Sequence, residues 1–223
     1  MIRSTLRTTI RMLLGEATAV FWTDALLNTW MEDAQKDIVW RAKLKRTRGT
    51  FTSIASTARY TITTIFPNAL RILDGGAWIY DSNDTKWHRL DYKTKEFMDK
   101  VYEDWPNADA GVPFIYMEDT DENILELYPT PQTSCVGTDY CRVYYCSKPT
   151  AMSSDSASPD LDPQGLLEHA ITDYVVALGF ASRGYGDLAN DYWSKYYDKI
   201  KSYMTEKNSK EEEDIQMISY RNL

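Results

Sequence analysis

Hydrophobic residues recur with two different periods along this chain of 223 residues. Near both ends they repeat every three or four positions, which is typical of amphipathic helices and predicts helices at about 4–14, 23–45, 163–181 and 186–207. Between them, short stretches rich in Tyr, Thr, Val and Ile alternate with turn residues, as in β-strands. This order predicts an α+β fold in which N- and C-terminal helices form a helical bundle that carries an inserted, mainly antiparallel β module.

The same patterns predict the domain organisation. The helical bundle comprises 1–50 and 160–205, the β module 51–150, a flexible Ser- and Asp-rich linker 151–159, and an extended C-terminal docking tail 206–223. The tail starts with a Glu- and Lys-rich stretch and turns apolar near its end, which is typical of a mobile docking peptide; a frayed terminus is the alternative. The candidate docking residues are Ile215, Met217, Ile218, Tyr220 and Leu223.

Capping signals predict several helix ends. Gly15 is a suitable stop for the first helix, and Thr23 is a suitable N-cap for the second. Asp162 followed by Pro163 predicts the start of the third long helix. Gly49 is interpreted as the stop of the second helix.

A dense basic cluster lies around the end of the second predicted helix. Cations are favourable at a helix C-terminus, so one interpretation is a solvated helix end. Contact with DNA or with an acidic partner is the alternative. The cluster consists of Arg41, Lys43, Lys45, Arg46 and Arg48.

Turn residues predict the connections within the β module. Residues 59–65 have strong strand character, and 94–104 resemble a short helix. The stretch 74–77 predicts a hairpin turn between two short strands, and the acidic stretch 118–122 predicts a turn that pairs the strands on either side of it. A last strand at 140–146 alternates between two different sets of side chains, so it has two distinct faces.

Composition limits the classes of function. A net charge of −8 argues against a general nucleic-acid binder, although an acidic surface could let DNA pass without binding it. The chain has 16 Tyr and 7 Trp. Side chains of these types are equally suited to interfaces and to the interior of a β module, so both interpretations stay open. Neither a secretory signal nor a membrane span is predicted, because no sufficiently long apolar run occurs.

The usual signatures of catalysis are missing from the sequence. Three cysteines without a zinc-type spacing predict reduced thiols, and His88 and His169 form no His-x-x-x-His pair. No phosphate-binding loop or nucleophile elbow occurs. The carboxylates at 118–122 are the cluster to consider for a glycosidase, but they fit a solvated turn better. We therefore expect no enzyme activity, no metal and no cofactor.

Four groups of motifs resemble the head-to-tail adaptor proteins of tailed bacteriophages, which are also described as connector, head-completion or tubular tail proteins. They occur in the same order along most of the chain, although the 66–112 region departs in length. The groups are 13–38 with Phe21-Trp22 before a capped helix, 111–116 with 124–131, 143–149 with Pro159 and Asp162-Pro163, and the closing helix pair with Ala170, Tyr174, Ala177 and 192–197.

The resemblance implies a structural virion protein. Its copies would form a ring, a dodecamer, that binds the portal protein and joins it to a tail nozzle or other tail proteins. The ring would extend the channel through which double-stranded DNA passes transiently during genome ejection. The C-terminal segment would reach the portal and the β module would face the tail. The protein would be located in the neck or tail of the virion after assembly in the host cytoplasm, without a membrane partner.

Three other functions stay open at this point. The first is another tail-ring component, which would differ in copy number and partner. The second is a carbohydrate-binding or carbohydrate-hydrolysing tail protein, because aromatic-rich β modules can stack on sugars. The third is a small regulatory or DNA-packaging factor.

Overall fold

The computed structural model describes the backbone of residues 1–16, 18–102, 104–161, 165 and 167–221, and its side chains except those of Asp74 and 208–223. The chain is a mixed α+β protein with helices and a curled, antiparallel-rich sheet. It divides into two compact units, here called the helical unit (Met1–Lys45 and Pro149–Leu223) and the β unit (Arg46–Lys148).

The described residues form six α-helices and seven strands. The helices are α1 (Arg3–Leu13), α2 (Asp24–Arg41), α3 (Ile62–Ile65), α4 (Lys95–Val101), α5 (Glu168–Ser182) and α6 (Gly186–Arg221). The strands are β1 (Arg46–Ser53), β2 (Arg59–Thr61), β3 (Ala69–Asp81), β4 (Lys86–Tyr92), β5 (Ile115–Met117), β6 (Ile124–Tyr128) and β7 (Gly137–Ser147).

Local signals account for the ends of α1 and for the start of α2. Gly15 takes a φ of 70° directly after α1, and the Thr23 side chain accepts a hydrogen bond from the Leu26 amide, so both predicted ends are confirmed. The predicted stop at Gly49 is wrong. Helix α2 ends at Arg41, the chain then turns through Lys43 and Lys45 with positive φ, and Gly49 lies within β1.

Helix α5 is the centre of the helical unit and packs against α1, α2 and α6. Most of its residues between Ala170 and Gly179 are buried, which explains why its sequence is more hydrophobic than that of an ordinary surface helix. Fully buried side chains of the unit are Leu6, Ile10, Leu27, Met31, Ile38, Ala170, Ile171 and Val175. The Asp162–Pro163 start signal lies outside the described residues, and α5 begins at Glu168 rather than at 163.

The C-terminal segment differs from the prediction in its backbone. Residues 206–221 continue α6 as helix, whereas the sequence pattern predicts an extended tail. The Glu- and Lys-rich stretch consists of good helix formers and contains no Gly or Pro that would end α6. The predicted docking side chains Ile215, Met217, Ile218 and Tyr220, and Leu223 as a whole, lie outside what the structure describes.

Residues 151–159, which we call the return segment, form hydrogen bonds with α1 and α2. The sequence pattern predicts a flexible linker at these positions. Asp155 accepts hydrogen bonds from Arg3 and Arg7 of α1, at 3.0 and 2.9 Å. The Met152 amide donates to Glu32 of α2 at 2.5 Å. The segment is therefore fixed to both N-terminal helices by charged side chains that lie far away in sequence.

The β unit is a seven-stranded sheet in the order β1-β7-β3-β4-β5-β6-β2. All neighbours are antiparallel except β4 and β5. The sheet curls so strongly that its two edge strands, β1 and β2, approach each other. The rings of Phe51 in β1 and Tyr60 in β2 lie 4.8 Å apart. The enclosed core also contains Phe66, Ile72, Ile79, Leu90, Tyr116, Leu125, Leu127, Cys135, Cys141 and Val143.

Two predictions within the β unit are wrong and one is confirmed. Residues 59–65 form the short strand β2 followed by α3, and the Thr63 amide donates to the Asn123 side chain. The 74–77 stretch is not a hairpin turn but an irregularity within β3, where the pairing with β7 shifts between Ile72 and Ala77. The pairing across 118–122 is confirmed, since β5 and β6 are antiparallel neighbours.

Candidate interaction surfaces

The cysteines of the β unit are unsuited to nucleophilic chemistry. Cys135, Cys141 and Cys146 are buried and reduced. Burial raises the pKa of the Cys135 thiol and raises that of Cys141 to about 12. A thiol with a raised pKa is protonated at neutral pH and is a poor nucleophile and metal ligand. All three are free thiols, as the sequence predicts.

One cluster in the described residues has the composition of a metal site, and the sequence analysis missed it because its spacing matches no common motif. Ligand atoms of Asp81, Asp84 and His88 in the β3–β4 hairpin lie within 4.8 Å of one another. Asp81 accepts a hydrogen bond from the Asn83 amide. An Asp84 carboxylate oxygen lies 2.9 Å from His88 Nε2, so these two side chains form an ion pair when the imidazole is protonated.

The acidic turn at 118–122 also has local partners. Asp121 forms an ion pair with Arg59, and Asp119 accepts a hydrogen bond from the Lys95 amide at the start of α4. These carboxylates therefore hold β2, β6 and α4 around the hairpin. This fits the solvated turn that the sequence predicts better than a catalytic pair.

The structure divides the predicted basic cluster between the two units. Arg41 pairs with Asp37 at 2.6 Å, and Lys45 pairs with Asp160 at 2.5 Å, both within the helical unit. Arg46 and Arg48 lie in strand β1 and are exposed. Arg41 and Lys45 thus meet carboxylates of their own unit.

One face of the β unit combines arginines with aromatic rings, and we call it the arginine–aromatic face. Arg142 of β7 is paired across the sheet with Trp78, which is itself paired with Arg89. Residues paired in this way lie on the same side of a sheet. The Arg142 guanidinium lies 4.0 Å from the centre of the Trp87 ring. The face consists of Arg48, Thr50, Trp78, Tyr80, Trp87, Arg89, Tyr140, Arg142 and Tyr144.

The alternation of Tyr140, Arg142 and Tyr144 predicts one row of this face. The other rows come from strands that are distant in sequence, so only the pairing of β1, β7, β3 and β4 reveals them. Half-buried Trp, Tyr and Arg side chains are the residue types that most often dominate protein interfaces. The face is therefore a candidate interaction surface of the β unit.

The loop between α1 and α2 carries a second candidate surface. Val20 and Phe21, which we call the knob, are 84% and 53% exposed although both are apolar. Further exposed apolar side chains lie at the end of α1 and at the start of α6. They are Met12, Leu13, Tyr185 and Leu188. The knob is the candidate among them, because two neighbouring apolar residues are exposed together there.

The buried side chain of Glu16 holds the knob in place. Its carboxylate accepts hydrogen bonds from the amides of Val20 and Phe21, and from the amide of Trp22 at 3.3 Å. Burial by itself raises the pKa of Glu16, but these three donors, with Arg11 nearby, outweigh burial and lower the pKa below its usual value. The Glu16 carboxylate therefore provides hydrogen-bond partners for the backbone amides of the knob and of Trp22.

Arg183 and Trp22 support the knob from the side of α5. The Arg183 guanidinium lies 4.6 Å from the centre of the Phe21 ring and 4.3 Å from that of Trp22. The Trp22 indole donates to the Ser182 hydroxyl at 3.1 Å. Sequence reasoning picks out Phe21-Trp22 as the start of a helix, but the contact with the end of α5 is a tertiary feature.

The lowered pKa of Glu16 predicts a pH dependence of stability. The folded state holds the carboxylate charged to lower pH than the unfolded state, whose value is about 4.5. The stabilisation is complete above that pH and is lost as the pH falls through the lower folded-state pKa. Urea unfolding should thus find a difference between the wild type and Glu16→Gln that is large at pH 7 and shrinks below about pH 4.5.

Glu96→Gln is the matched control for this measurement, because the side chain of Glu96 is 78% exposed. Its unfolding free energy should stay close to that of the wild type at every pH. A Glu16→Gln difference that does not change with pH would contradict the role of the charged carboxylate.

The other end of α5 carries a groove between α5 and α6. Its volume is about 300 Å³, and its lining combines apolar surface with charged side chains. Lys199 in the groove forms an ion pair with Asp173 of α5. We call it the α5–α6 groove, and it is lined by Leu167, Asp198, Lys199, Ser202, Tyr203 and Glu206.

Comparison with known proteins adds one match. The model of a family described as SU10 adaptor protein matches residues 1–217. No curated protein matches the chain. Of the described helices, none combines enough length and apolarity to cross a membrane.

Proposed function

Because this chain belongs to the SU10 adaptor protein family, we propose that it is a structural virion protein whose copies form a ring between the portal and the tail. In this proposal the ring is a dodecamer that extends the DNA channel and assembles in the host cytoplasm. The observation that carries the proposal is the family match over nearly the whole chain. The family is one of structural phage adaptors, so the proposed role is not enzymatic.

The three candidate surfaces, namely the arginine–aromatic face, the knob and the α5–α6 groove, support a protein that binds several partners. We propose a helical bundle that carries the β unit as an inserted module, with the arginine–aromatic face of that module toward the tail nozzle or other tail proteins. Rings and guanidinium groups are common anchors of protein interfaces, which supports this assignment. The knob and the α5–α6 groove offer separate contacts on the helical unit.

For the portal, we propose docking by the apolar residues near the C-terminus. They follow a charged stretch in sequence, as an amphipathic docking helix or peptide would. These residues are Ile215, Met217, Ile218, Tyr220 and Leu223.

For DNA, we propose transient passage without stable binding. The net charge of −8 disfavours lasting phosphate contacts. Arg46 and Arg48 of the basic cluster lie in strand β1 and are exposed. Contact of DNA or an acidic partner with this cluster, which also includes Lys43, is part of the proposal.

Electron microscopy of the purified chain mixed with the portal ring of the same virus tests the proposal. We expect a new ring-shaped layer at the narrow end of the portal. A variant that lacks 215–223 should bind the portal at least tenfold more weakly, because the proposed apolar anchors are removed. Well-folded protein that adds no layer to the portal would overturn the adaptor role.

The matched control replaces Glu211, Glu212 and Glu213 by Ala, which keeps the length of α6 and its helix-forming residues. This control should still bind the portal. If the truncated chain binds the portal as tightly as the full chain, the docking assignment is wrong and the adaptor role stands. Cleavage of cell-wall or capsular polysaccharide by a chain that forms no layer would instead favour the carbohydrate alternative.

A further inference from the structure

We propose that the knob of one copy, Val20 and Phe21, docks in the α5–α6 groove of a second copy of the same chain. The inference deepens the proposed function, on which it rests, by naming the surfaces through which neighbouring copies touch. It follows from the presentation of the knob, the size and charge of the groove, and their positions on the helical unit.

Contacts within the chain hold the knob in one conformation without a partner. Glu16 satisfies the amides of Val20, Phe21 and Trp22, and Arg183 lies against the Phe21 ring. A loop already fixed in its bound conformation loses little conformational entropy on association. Its apolar side chains nevertheless stay in water, so burying them in a partner would remove the cost of exposing them.

The α5–α6 groove has a suitable size and lining for the Phe21 ring. Its volume is about 300 Å³, and its apolar walls include Leu167 and Tyr203. In other proteins an apolar cavity of roughly 150 Å³ accepts a benzene molecule. The groove thus has room for a phenyl ring with a smaller aliphatic side chain such as Val20 beside it.

Charges next to the knob and the groove are complementary. Arg183 accompanies the knob, since it stacks on Phe21. Asp198 lines the groove, and Lys199 in the groove is paired with Asp173. A docked knob would place a guanidinium beside the Asp198 carboxylate, which adds specificity and orientation to the apolar contact.

The knob and the groove lie at opposite ends of α5. The knob contacts Ser182 and Arg183 through the Trp22 indole and the Phe21 ring, whereas the groove begins at Leu167 before the first turn. Fifteen helical residues separate these ends by about 22 Å. A knob therefore cannot reach the groove of its own chain.

Two complementary surfaces at opposite ends make the contact heterologous. Each copy offers a knob to one neighbour and a groove to the other, so copies add head to tail and close into a ring if the rotation per copy allows it. An isologous dimer would instead require one surface to contact itself. The geometry of the helical unit is thus suited to a ring of identical subunits.

Two single variants of the full chain test the proposal. Phe21→Ala removes the knob and leaves the groove intact. Ser202→Arg fills the groove from an exposed position of α6, adds a charge that repels Arg183, and leaves the knob intact. Sedimentation velocity up to millimolar concentration, without and with the portal ring, measures association. Each variant alone should associate at least tenfold more weakly than the wild type.

An equimolar mixture of the two variants is the decisive sample. The intact knob of Ser202→Arg can enter the intact groove of Phe21→Ala, but no third copy can join through the same contact. We therefore expect a one-to-one dimer from the mixture and no larger species. The control Val101→Ala, which shortens an exposed apolar side chain of the β unit, should associate like the wild type.

Several outcomes would overturn the inference and separate it from the proposed function. If the wild type forms a layer on the portal and Phe21→Ala does so equally well, the adaptor role stands and the knob contact is wrong. The knob contact is also wrong if the mixture stays monomeric, or if Phe21→Ala still associates with itself but no longer binds the portal. If the wild type stays monomeric in solution and adds no ring to the portal, both the knob contact and the adaptor role are contradicted. Circular dichroism checks that each variant is folded.

Discussion

Replacement of Tyr116 by Ala is expected to lower the unfolding free energy of the β unit by about 3–5 kcal/mol. The side chain of Tyr116 is completely buried in the core enclosed by the curled sheet. Its removal loses apolar burial and leaves a cavity, because strands on several sides hold the surrounding side chains in place. Urea denaturation followed by far-ultraviolet circular dichroism would measure the loss.

The hydroxyl of Tyr116 makes a separate contribution that Tyr116→Phe isolates. It accepts a hydrogen bond from the Gly75 amide at 3.0 Å and donates one to the Leu73 carbonyl at 3.2 Å. Both groups belong to the irregular part of β3, where Gly75 takes a φ of 66°. Loss of the hydroxyl leaves them without this partner and should cost about 1–3 kcal/mol. A Tyr116→Phe variant as stable as the wild type would show that the hydroxyl does not hold this irregularity.

Replacement of Gln35 by Leu is expected to lower the unfolding free energy of the helical unit by about 2–4 kcal/mol. Gln35 is completely buried on α2 although it is polar. Its side-chain amide donates to the Thr150 carbonyl and accepts from the Asp160 amide, both at 2.8 Å. Leucine fills a similar volume but pairs with neither backbone group, so the return segment loses its fixed position on α2.

Lys36→Ala provides the matched control for Gln35→Leu. It changes the next residue of the same helix, where the side chain is exposed and pairs with Asp33 at 3.2 Å. An exposed pair of this kind contributes little, so the control should change stability by less than about 0.5 kcal/mol. Equal stability of Gln35→Leu and the wild type in thermal and urea unfolding would contradict the assigned role of the two hydrogen bonds.

Several elements could be predicted because their causes lie close together in sequence. The N-cap at Thr23 depends on an amide three residues later, and the pairing of β5 with β6 depends on the short acidic turn between them. The end of α1 depends on a glycine that tolerates positive φ. In each case the residues that decide the structure fall within one sequence window.

The wrong predictions concern residues whose partners are distant in sequence. Residues 74–77 resemble a hairpin turn, but their backbone is held within β3 by Tyr116, more than forty positions away. Residues 62–65 have high strand propensity, yet they form α3 where Asn123 provides a partner for the Thr63 amide. The Ser- and Asp-rich return segment is predicted to be a linker, and its hydrogen-bond partners in α1 and α2 are likewise too distant in sequence for the pattern to indicate them.

Each candidate surface likewise combines residues that stand out in the sequence with contacts that only the tertiary structure reveals. The row Tyr140, Arg142 and Tyr144 is visible in the alternation of β7, but Arg48 and Trp78 join it only through cross-strand pairing. Phe21 stands out in sequence as part of a helix start. Its exposure as a knob depends on Glu16, and its support depends on Arg183 at the far end of α5.

The sequence by itself determined the α+β class, most of the described helices, the confirmed β-hairpin and the acidic character of the chain, because period, caps and composition are local properties. It also carried the likeness to phage adaptors. Tertiary structure alone decided the curl of the sheet, the fixed return segment and the side chains that face solvent together. The physical reason is that strand pairing and burial join residues far apart in sequence, and short-range propensities contain no information about those partners.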